Sequence, residues 1–280
     1  MDSRKDEQTP IHRPRDLTRH HHLGFQDPLN NALHAAGNVR WRVPRPNDPA
    51  RFLRSALSPL ADTRRAAGMA AYMKTADPFF GVSEPMRRPV FRELCERFVP
   101  TTPAEYRRVV MQLWAMPQRE CRYAAIHYAV EFRAFHTPAF LPFFRRLIIA
   151  GAWWDSVDWI STKLIAPIHL NHRTTAAPVI HRWIEDSNLW VRRAAILSHF
   201  NHKDKTDWET LTRFCLACAH EKDFFIRKAI GWALRQHART APGDVRVFLL
   251  SNLTTLSPLS IREAGKHIGV IPPPRRGTQP

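Results

Sequence analysis

The sequence predicts an all-α protein built as a solenoid of stacked helical hairpins. The main observation is a repeat without gaps, in which related tripeptides begin at positions 86, 121, 156, 191, 226 and 261, each 35 residues after the one before. A second observation is that four of the six tripeptides continue directly into Ala, and a third is the lack of any β-rich segment. A fixed period of this length indicates helical units that bury their apolar faces against their neighbours. The tripeptides are Met86-Arg87-Arg88, Cys121-Arg122-Tyr123, Ser156-Val157-Asp158, Val191-Arg192-Arg193, Ile226-Arg227-Lys228 and Ile261-Arg262-Glu263.

Helix start signals divide residues 49–270 into about six antiparallel pairs. Asp48 followed by Pro49 predicts the first helix start, and a second helix is predicted from Asp62. Proline is tolerated at the first helical position because its missing N–H would have no partner there. Short connections make consecutive helices antiparallel neighbours. We therefore predict a HEAT-like α-solenoid, whose later pairs are 103–115 with 119–132, 138–150 with 153–168, 175–186 with 189–200, 207–219 with 223–238, and 242–253 with 257–268.

Both ends of the chain differ from this helical part. Residues 1–48 are rich in Arg, His and Pro, include His20 to His22, and show no sustained helical period. They predict a disordered basic extension, with a short helix near 28–36 as the alternative. Pro272 to Pro274 end regular structure, and 271–280 are predicted to be a disordered tail.

The charge of the chain favours a polyanionic partner. The formal net charge is +17, which suggests nucleic acid before a membrane surface. The alternative is that the excess of Arg over Lys reflects a GC-rich genome and not selection for phosphate binding. The first twenty residues lack the apolar core of a secretory signal, and no apolar run is long enough to span a bilayer. Cys215 and Cys218 form a CxxC motif in an apolar helix without a second ligand pair, so we expect buried thiols and no metal. A cytoplasmic, nucleoid-associated monomer without cofactor is expected.

The third residue of each repeat defines one stripe along the predicted stack. One of its residues, Asp158, is an acid that stands between cations of the stripe, and Trp154 lies one helical turn before it. Trp232 lies one turn after Lys228. The repeat therefore predicts a basic concave face that gathers Trp154, Asp158, Arg193, Lys228 and Trp232. Two alternatives remain: Asp158 as a structural carboxylate paired with Arg193, and one ring of the Trp153–Trp154 dipeptide turned into the core.

Three segments carry a resemblance to a known family. Residues 153–158, Trp-Trp-Asp-Ser-Val-Asp, are similar to the WWDxVD segment of the AlkD-type DNA alkylation repair family, and residues 189–196 and 224–232 resemble two further family segments. Weaker matches lie at 69–74 and 256–264. The segments follow the family's order across residues 50 to 270. The resemblance implies a monofunctional DNA glycosylase that releases cationic N3- and N7-alkylpurines from duplex DNA without burying a flipped base.

The resemblance also implies roles for individual residues. Asp158 is the expected catalytic carboxylate, and Trp154 and Trp232 are expected to contact the deoxyribose. Arg193 would hold backbone phosphate. The remaining expected DNA contacts are Tyr72, Phe224 and Phe225 from the resemblance, and Lys228 and Arg88 from the basic stripe.

The chemistry of the substrate agrees with this assignment. An alkylpurine cation is already an activated leaving group, so no general acid has to protonate it. A carboxylate stabilises the oxocarbenium-like sugar and orients water, as in glycoside hydrolysis. Aromatic faces attract the same positive charge. The alternatives are a HEAT-like scaffold for proteins and a DNA-structure-binding protein without chemistry.

Overall fold

The computed structural model describes residues 48–272, and every regular element within that range is a helix. The predicted all-α class is therefore confirmed for this part of the chain. The expected extension and tail, and the alternative helix near 28–36, lie almost entirely outside the described residues. The α-helices are α1 (Pro49–Leu57), α2 (Thr63–Met73), α3 (Glu84–Arg97), α4 (Pro103–Trp114), α5 (Arg119–Glu131), α6 (Leu141–Gly151), α7 (Trp154–Ile160), α8 (Ala166–Asn171), α9 (Arg173–Trp183), α10 (Leu189–Leu197), α11 (Trp208–Ala217), α12 (Phe224–His237), α13 (Pro242–Ser251) and α14 (Pro258–Ala264).

The acidic residues that were expected to start helices do cap them. Asp48 Oδ1 accepts a hydrogen bond from the amide of Ala50 at 2.9 Å, and Asp62 Oδ1 accepts one from Arg65 at 2.8 Å. Each cap satisfies an amide that has no partner within its helix, and is worth about 1 kcal/mol. Both predicted starts are correct. Among these helices, none has both the length and the apolar character that a bilayer crossing requires.

One helix was not expected from the sequence. Residues Glu84–Arg97 form α3 although the chain has Pro85 in the first turn and Pro89 within the helix. An interior proline removes one backbone hydrogen bond and crowds the preceding turn, which is why the pattern there did not predict a helix. Buried Phe91 and Leu94 pack this helix into the core. Tertiary packing thus overrides the local preference.

The second helices of the repeat units form one continuous layer. Helices α3, α5, α7, α10, α12 and α14 contact one another in chain order. The alanine that follows each related tripeptide is fully buried in four of these helices, which allows their backbones to approach closely. At Gly231 in α12 a Cβ atom would lie 2.5 Å from Glu263 Cβ, so the lack of a side chain permits the close contact with α14. The layer keeps equivalent residues of successive units side by side.

Candidate active site

A sharp turn places Asp158 near the start of α7. Helix α6 ends at Gly151, Ala152 adopts a positive φ of 27°, and Trp153 is extended before the helix resumes at Trp154. A Cβ on Gly151 would lie 3.0 Å from the Trp114 ring, so the small residue permits this tight connection. Asp158 therefore lies in the second turn of α7, within the layer formed by the second helices of the repeat units.

The backbone beyond Asp158 changes its hydrogen-bond pattern. Residues Ser161–Ile165 form a π-helical turn between α7 and α8. The hydroxyl of Ser161 donates to the carbonyl of Val157 at 2.6 Å, and that of Thr162 donates to the carbonyl of Asp158 at 2.7 Å. Wide turns of this kind occur frequently at functional sites. The two hydroxyls fix the carbonyls of the turn that carries Asp158.

Asp158 and Arg193, adjacent positions of the stripe, form a two-point ion pair. Arg193 Nε donates to Asp158 Oδ1 at 2.7 Å, and Nη2 donates to Oδ2 at 2.9 Å. Arg193 Nη1 also donates to the carbonyl of Phe225. A forked guanidinium contact of this geometry holds the carboxylate in one orientation. The repeat was therefore right to place these two residues together.

Burial perturbs the acidity of Asp158. Desolvation raises the pKa of this carboxyl above its ordinary 3.8, the hydrogen bonds and charge of Arg193 oppose that rise, and the nearby charge of Asp155 adds to it. A carboxylate made more basic in this way is a better proton acceptor once ionised. Asp158 accepts hydrogen bonds from Arg193 alone among the described residues. Two of its roughly four lone-pair positions are thus left for a ligand.

A second carboxylate on the same helix is fully used by the protein. Asp155 Oδ2 accepts from Arg119 Nε at 2.8 Å and from the Tyr123 hydroxyl at 2.6 Å. Asp155 Oδ1 accepts from Arg119 Nη2 at 2.6 Å and from the amide of Ser156 at 2.8 Å. Arg119 is only 2% exposed and also donates to Asp77 at 2.6 Å. The pair therefore ties α7 to the segment that follows α2.

Trp154 faces the exposed residue Tyr72, and Trp153 faces the interior. The Trp154 and Tyr72 rings meet edge to face with centroids 6.4 Å apart, and Tyr72 is 76% exposed. The Trp153 ring lies 5.5 Å from Phe225 and 6.1 Å from Trp190. The expectation that one of the two tryptophans turns inward is confirmed, with Trp153 in that role.

The aromatic residues of α12 separate in the same way. Phe224 is 53% exposed, whereas Phe225 is partly buried and packs 4.8 Å from the Trp190 ring. Trp232 is half-buried, and its ring meets Phe200 edge to face at 4.7 Å. Phe224 thus presents an open ring, while Phe225 supports the aromatic cluster under the site, and its carbonyl oxygen accepts a hydrogen bond from Arg193.

Three cations of the stripe pair with carboxylates, and the sequence had suggested only the pair of Arg193 with Asp158. Lys228 Nζ lies 2.8 Å from Glu263, the next stripe residue, and exposed Arg88 lies 2.7 Å from Glu84. Arg193 is 4% exposed and uses three of its five N–H groups within the protein. The contacts of these three residues with phosphate stay predictions. For Arg193 the structure adds a role, since it also orients Asp158.

Sequence reasoning did not identify the network around Asp155. Tyr123 was placed on the stripe without a partner, but its hydroxyl binds Asp155 and its ring lies 5.0 Å from the Arg87 guanidinium. In the first repeat unit, Arg87 and not Arg88 is therefore the cation that contacts Tyr123. The signal that could have found the network is the 36-residue spacing between Arg119 and Asp155, which nearly equals the repeat.

Comparisons with known proteins assign the chain to a family. The family model described as DNA alkylation repair enzyme matches residues 53–268. The chain belongs to the DNA alkylation repair enzyme family. A solved structure described as a predicted DNA alkylation repair enzyme from Enterococcus faecalis is similar, with 29% identity and a TM-score of 0.64, over 75% of this chain and 97% of the other. No curated protein matches the chain. Family membership implies DNA as the substrate, and the family resemblance expected from the sequence is confirmed.

Proposed function

We propose that this family member is a monofunctional DNA glycosylase that hydrolyses the N-glycosidic bond of cationic N3- and N7-alkylated purines in duplex DNA. The observation that carries the proposal is the carboxylate of Asp158. It is held at two points by Arg193, keeps lone pairs for a ligand, and belongs to the same helix as Trp154. A fixed anion beside an aromatic ring is suited to a developing positive charge.

In the proposed reaction the purine leaves with the electrons of the N-glycosidic bond, which neutralises its positive charge. Positive charge develops on the sugar, where Asp158 stabilises it and the Trp154 face contributes a cation–π attraction. Asp158 then accepts a proton from the water whose oxygen bonds to C1′, and releases that proton to solvent. The raised pKa of Asp158, caused first by its burial, favours this step.

DNA binding in this proposal uses the inner helix layer of a HEAT-like solenoid. The layer would present a basic concave face on which Arg88, Arg193 and Lys228 neutralise phosphates. Trp232 would join Trp154 at the deoxyribose, and Tyr72, Phe224 and Phe225 would line the surface near the lesion, without burial of a flipped base. Such a protein acts as a monomer on nucleoid DNA in the cytoplasm. Phosphate contacts of this kind give an affinity that falls steeply with salt and depends little on sequence.

The test is base release from a duplex that carries one N7-methylguanine. Wild-type protein should liberate free base and leave an alkali-labile site, and Asp158→Asn should not do so at a comparable rate. Glu209→Gln is the matched control, because it removes a carboxylate from an exposed position on α11. A duplex with uracil should scarcely react, since its neutral base needs a general acid to depart.

Two results would contradict the proposal. Rapid release of uracil by the wild-type protein would refute the mechanism, because it would require acid catalysis. Tight binding of damaged duplex with no base release under any condition would favour the alternative of a non-catalytic DNA-structure-binding protein.

A further inference from the structure

The helical segment that carries Asp158 exposes two side chains, Trp159 and Lys163, that have no part in the proposed reaction. From residue 154 to residue 170, Trp159 and Lys163 are the exposed positions, and all the others are buried or half-buried. Trp159 is 38% exposed. A tryptophan is usually well buried, so a partly exposed indole directly after the candidate catalytic residue indicates a ligand-binding surface.

The position of the Trp159 ring is fixed by its neighbours. Its centroid lies 6.2 Å from that of Tyr123 in an edge-to-face contact. The Tyr123 hydroxyl is bound to Asp155 at 2.6 Å, and the Arg87 guanidinium lies 5.0 Å from the centroid of the Tyr123 ring. Trp159 therefore rests on a buried and hydrogen-bonded ring. A ring held in this way loses little conformational entropy when it binds a ligand.

Lys163 supplies an exposed cation about one helical turn after Trp159. It follows Trp159 by four residues, across the start of the π-helical turn. In the part of the chain that the structure describes, Lys163 forms no ion pair, whereas Lys228 and Arg193 are both bound to carboxylates. An exposed aromatic ring with a cation nearby is the combination that proteins use to bind a nucleic acid strand, through stacking and phosphate contact.

We propose that Trp159 and Lys163 form a strand-binding patch beside Asp158, with the indole against a deoxyribose and the ammonium at a phosphate. The proposal rests on the proposed function, and it adds a contact that is separate from the reacting deoxyribose. Because Trp159 is adjacent to Asp158 in the chain, the patch would bind nucleotides close to the lesion. It should strengthen binding to damaged and undamaged duplex alike, with little effect on the bond-breaking step.

The experiment compares Trp159→Ala, Trp159→Phe and Lys163→Ala with the wild-type chain. Met111→Ala is the control for loss of an exposed apolar side chain, since Met111 is 43% exposed on α4, outside the inner layer. Lys205→Ala is the control for loss of one exposed cation. Binding to an undamaged duplex is measured over a range of salt concentrations, and single-turnover base release is measured at saturating protein on a duplex with N7-methylguanine.

Trp159→Ala should weaken binding about tenfold at every salt concentration, and Trp159→Phe should restore most of the loss. Lys163→Ala should instead lower the slope of log affinity against log salt by about 1. The saturating rate of base release should stay within about threefold of wild type in all three variants. Both controls should bind like the wild-type protein.

Two outcomes would overturn the patch: wild-type affinity in both Trp159→Ala and Lys163→Ala, or a loss of saturating rate in these variants with unchanged affinity. If Trp159→Ala unfolds, Lys163→Ala still decides the question through the salt dependence of duplex binding. Failure of the proposed function gives a different result. A wild-type protein that binds duplex through this patch but releases no base would support the patch and refute the glycosylase activity.

Discussion

Asp155 and Asp158 lie three residues apart on one helix, and each is held at two points by an arginine from a neighbouring unit. They differ in what else binds them. Asp155 also accepts from the Tyr123 hydroxyl and the Ser156 amide, so that its lone pairs are used. Asp158 has Arg193 as its partner and keeps two positions for a ligand. Pairing with an arginine therefore does not distinguish a structural carboxylate from a functional one, whereas the number of unfilled acceptor positions does.

The surroundings of the two carboxylates follow the same division. The Asp155 side chain is 9% exposed, and its partner Arg119 is 2% exposed. The Asp158 side chain is 15% exposed, in the turn after Trp154. A buried and saturated network rigidifies the fold, whereas a carboxylate held in place but still accessible can act on a substrate. In our interpretation Asp155 positions α7 and Asp158 performs the chemistry.

The largest expected effect is on stability, and it tests the structural half of this comparison. Arg119→Met should lower the free energy of unfolding by about 3–5 kcal/mol, because it leaves the buried carboxylate of Asp155 without its cation. Denaturant unfolding monitored by circular dichroism measures the change. An unfolding free energy within about 1 kcal/mol of wild type would show that the Asp155 network contributes little, and the contrast with Asp158 would lose its basis.

The next effect is on rate, and it tests the chemical half. Asp158→Asn should reduce base release roughly 100- to 1,000-fold, since it removes one preorganised charge from the site. The amide oxygen still accepts one of the two Arg193 hydrogen bonds, so the fold should be retained with a loss of stability, and DNA affinity should be retained. Single-turnover kinetics with excess protein separate the chemical step from binding. Wild-type activity in this variant would remove Asp158 from the mechanism.

A lesion with higher intrinsic lability gives an internal check on this prediction. N3-methyladenine starts from a lower barrier than N7-methylguanine, and should depend less on the carboxylate. The rate ratio of wild type to Asp158→Asn should therefore be smaller for N3-methyladenine. Equal ratios for the two lesions would indicate that Asp158 acts in binding and not on the leaving-group step.

The repeat made part of this site predictable and left another part hidden. A period of 35 residues aligned Asp158 with Arg193, because inner helices keep equivalent positions side by side, and the two side chains do form an ion pair. The same reasoning could not assign Glu263 to Lys228 as a partner instead of phosphate, since spacing gives proximity and not the choice of ligand. It also missed α3, where core packing overcomes the interior Pro89.

The Asp155 network was hidden for a related reason. Its members come from the segment after α2, from α5 and from α7, so no single periodic position contains them. Glu120 illustrates the same limit. This fully buried carboxylate accepts hydrogen bonds from the backbone amides of Phe80, Gly81 and Val82. These three residues lie in an irregular segment between α2 and α3, and a helical repeat does not predict the path of such a segment.

A smaller effect concerns the charge coupling between the two carboxylates. Base release requires ionised Asp158, whose pKa is raised by burial and further by the Asp155 charge, against the opposing influence of Arg193. Activity should therefore fall on the acid side through a pKa above 3.8 as the pH is lowered. In Asp155→Asn that acid limb should move to lower pH, because the neighbouring negative charge is gone and Arg119 keeps its positive charge.

The pH profile of the folded protein distinguishes this coupling from a general loss of structure. Loss of structure in Asp155→Asn would lower the activity at every pH without moving the midpoint of the acid limb. The rate of spontaneous base loss, measured on the same duplex without protein, is subtracted at each pH. A midpoint that stays in place or moves to higher pH would show that the charge of Asp155 does not raise the pKa of Asp158.

The smallest expected effect comes from a third arginine–carboxylate pair. Arg88 and Glu84 lie one turn apart on α3, 2.7 Å from each other, with side chains 63% and 49% exposed. Exposed pairs of this kind contribute about 0–1 kcal/mol, so Arg88→Ala should leave the unfolding free energy almost unchanged. In the proposed complex Arg88 would leave Glu84 and bind a phosphate. The free energy gained from the phosphate contact is then reduced by the loss of the ion pair with Glu84. We therefore expect Arg88→Ala to weaken duplex binding by less than about threefold, whereas Glu84→Gln, which frees Arg88 for phosphate, should strengthen binding and steepen its salt dependence. If Glu84→Gln leaves the salt dependence of duplex binding unchanged, Arg88 lies outside the DNA contact and the basic surface is confined to the later units.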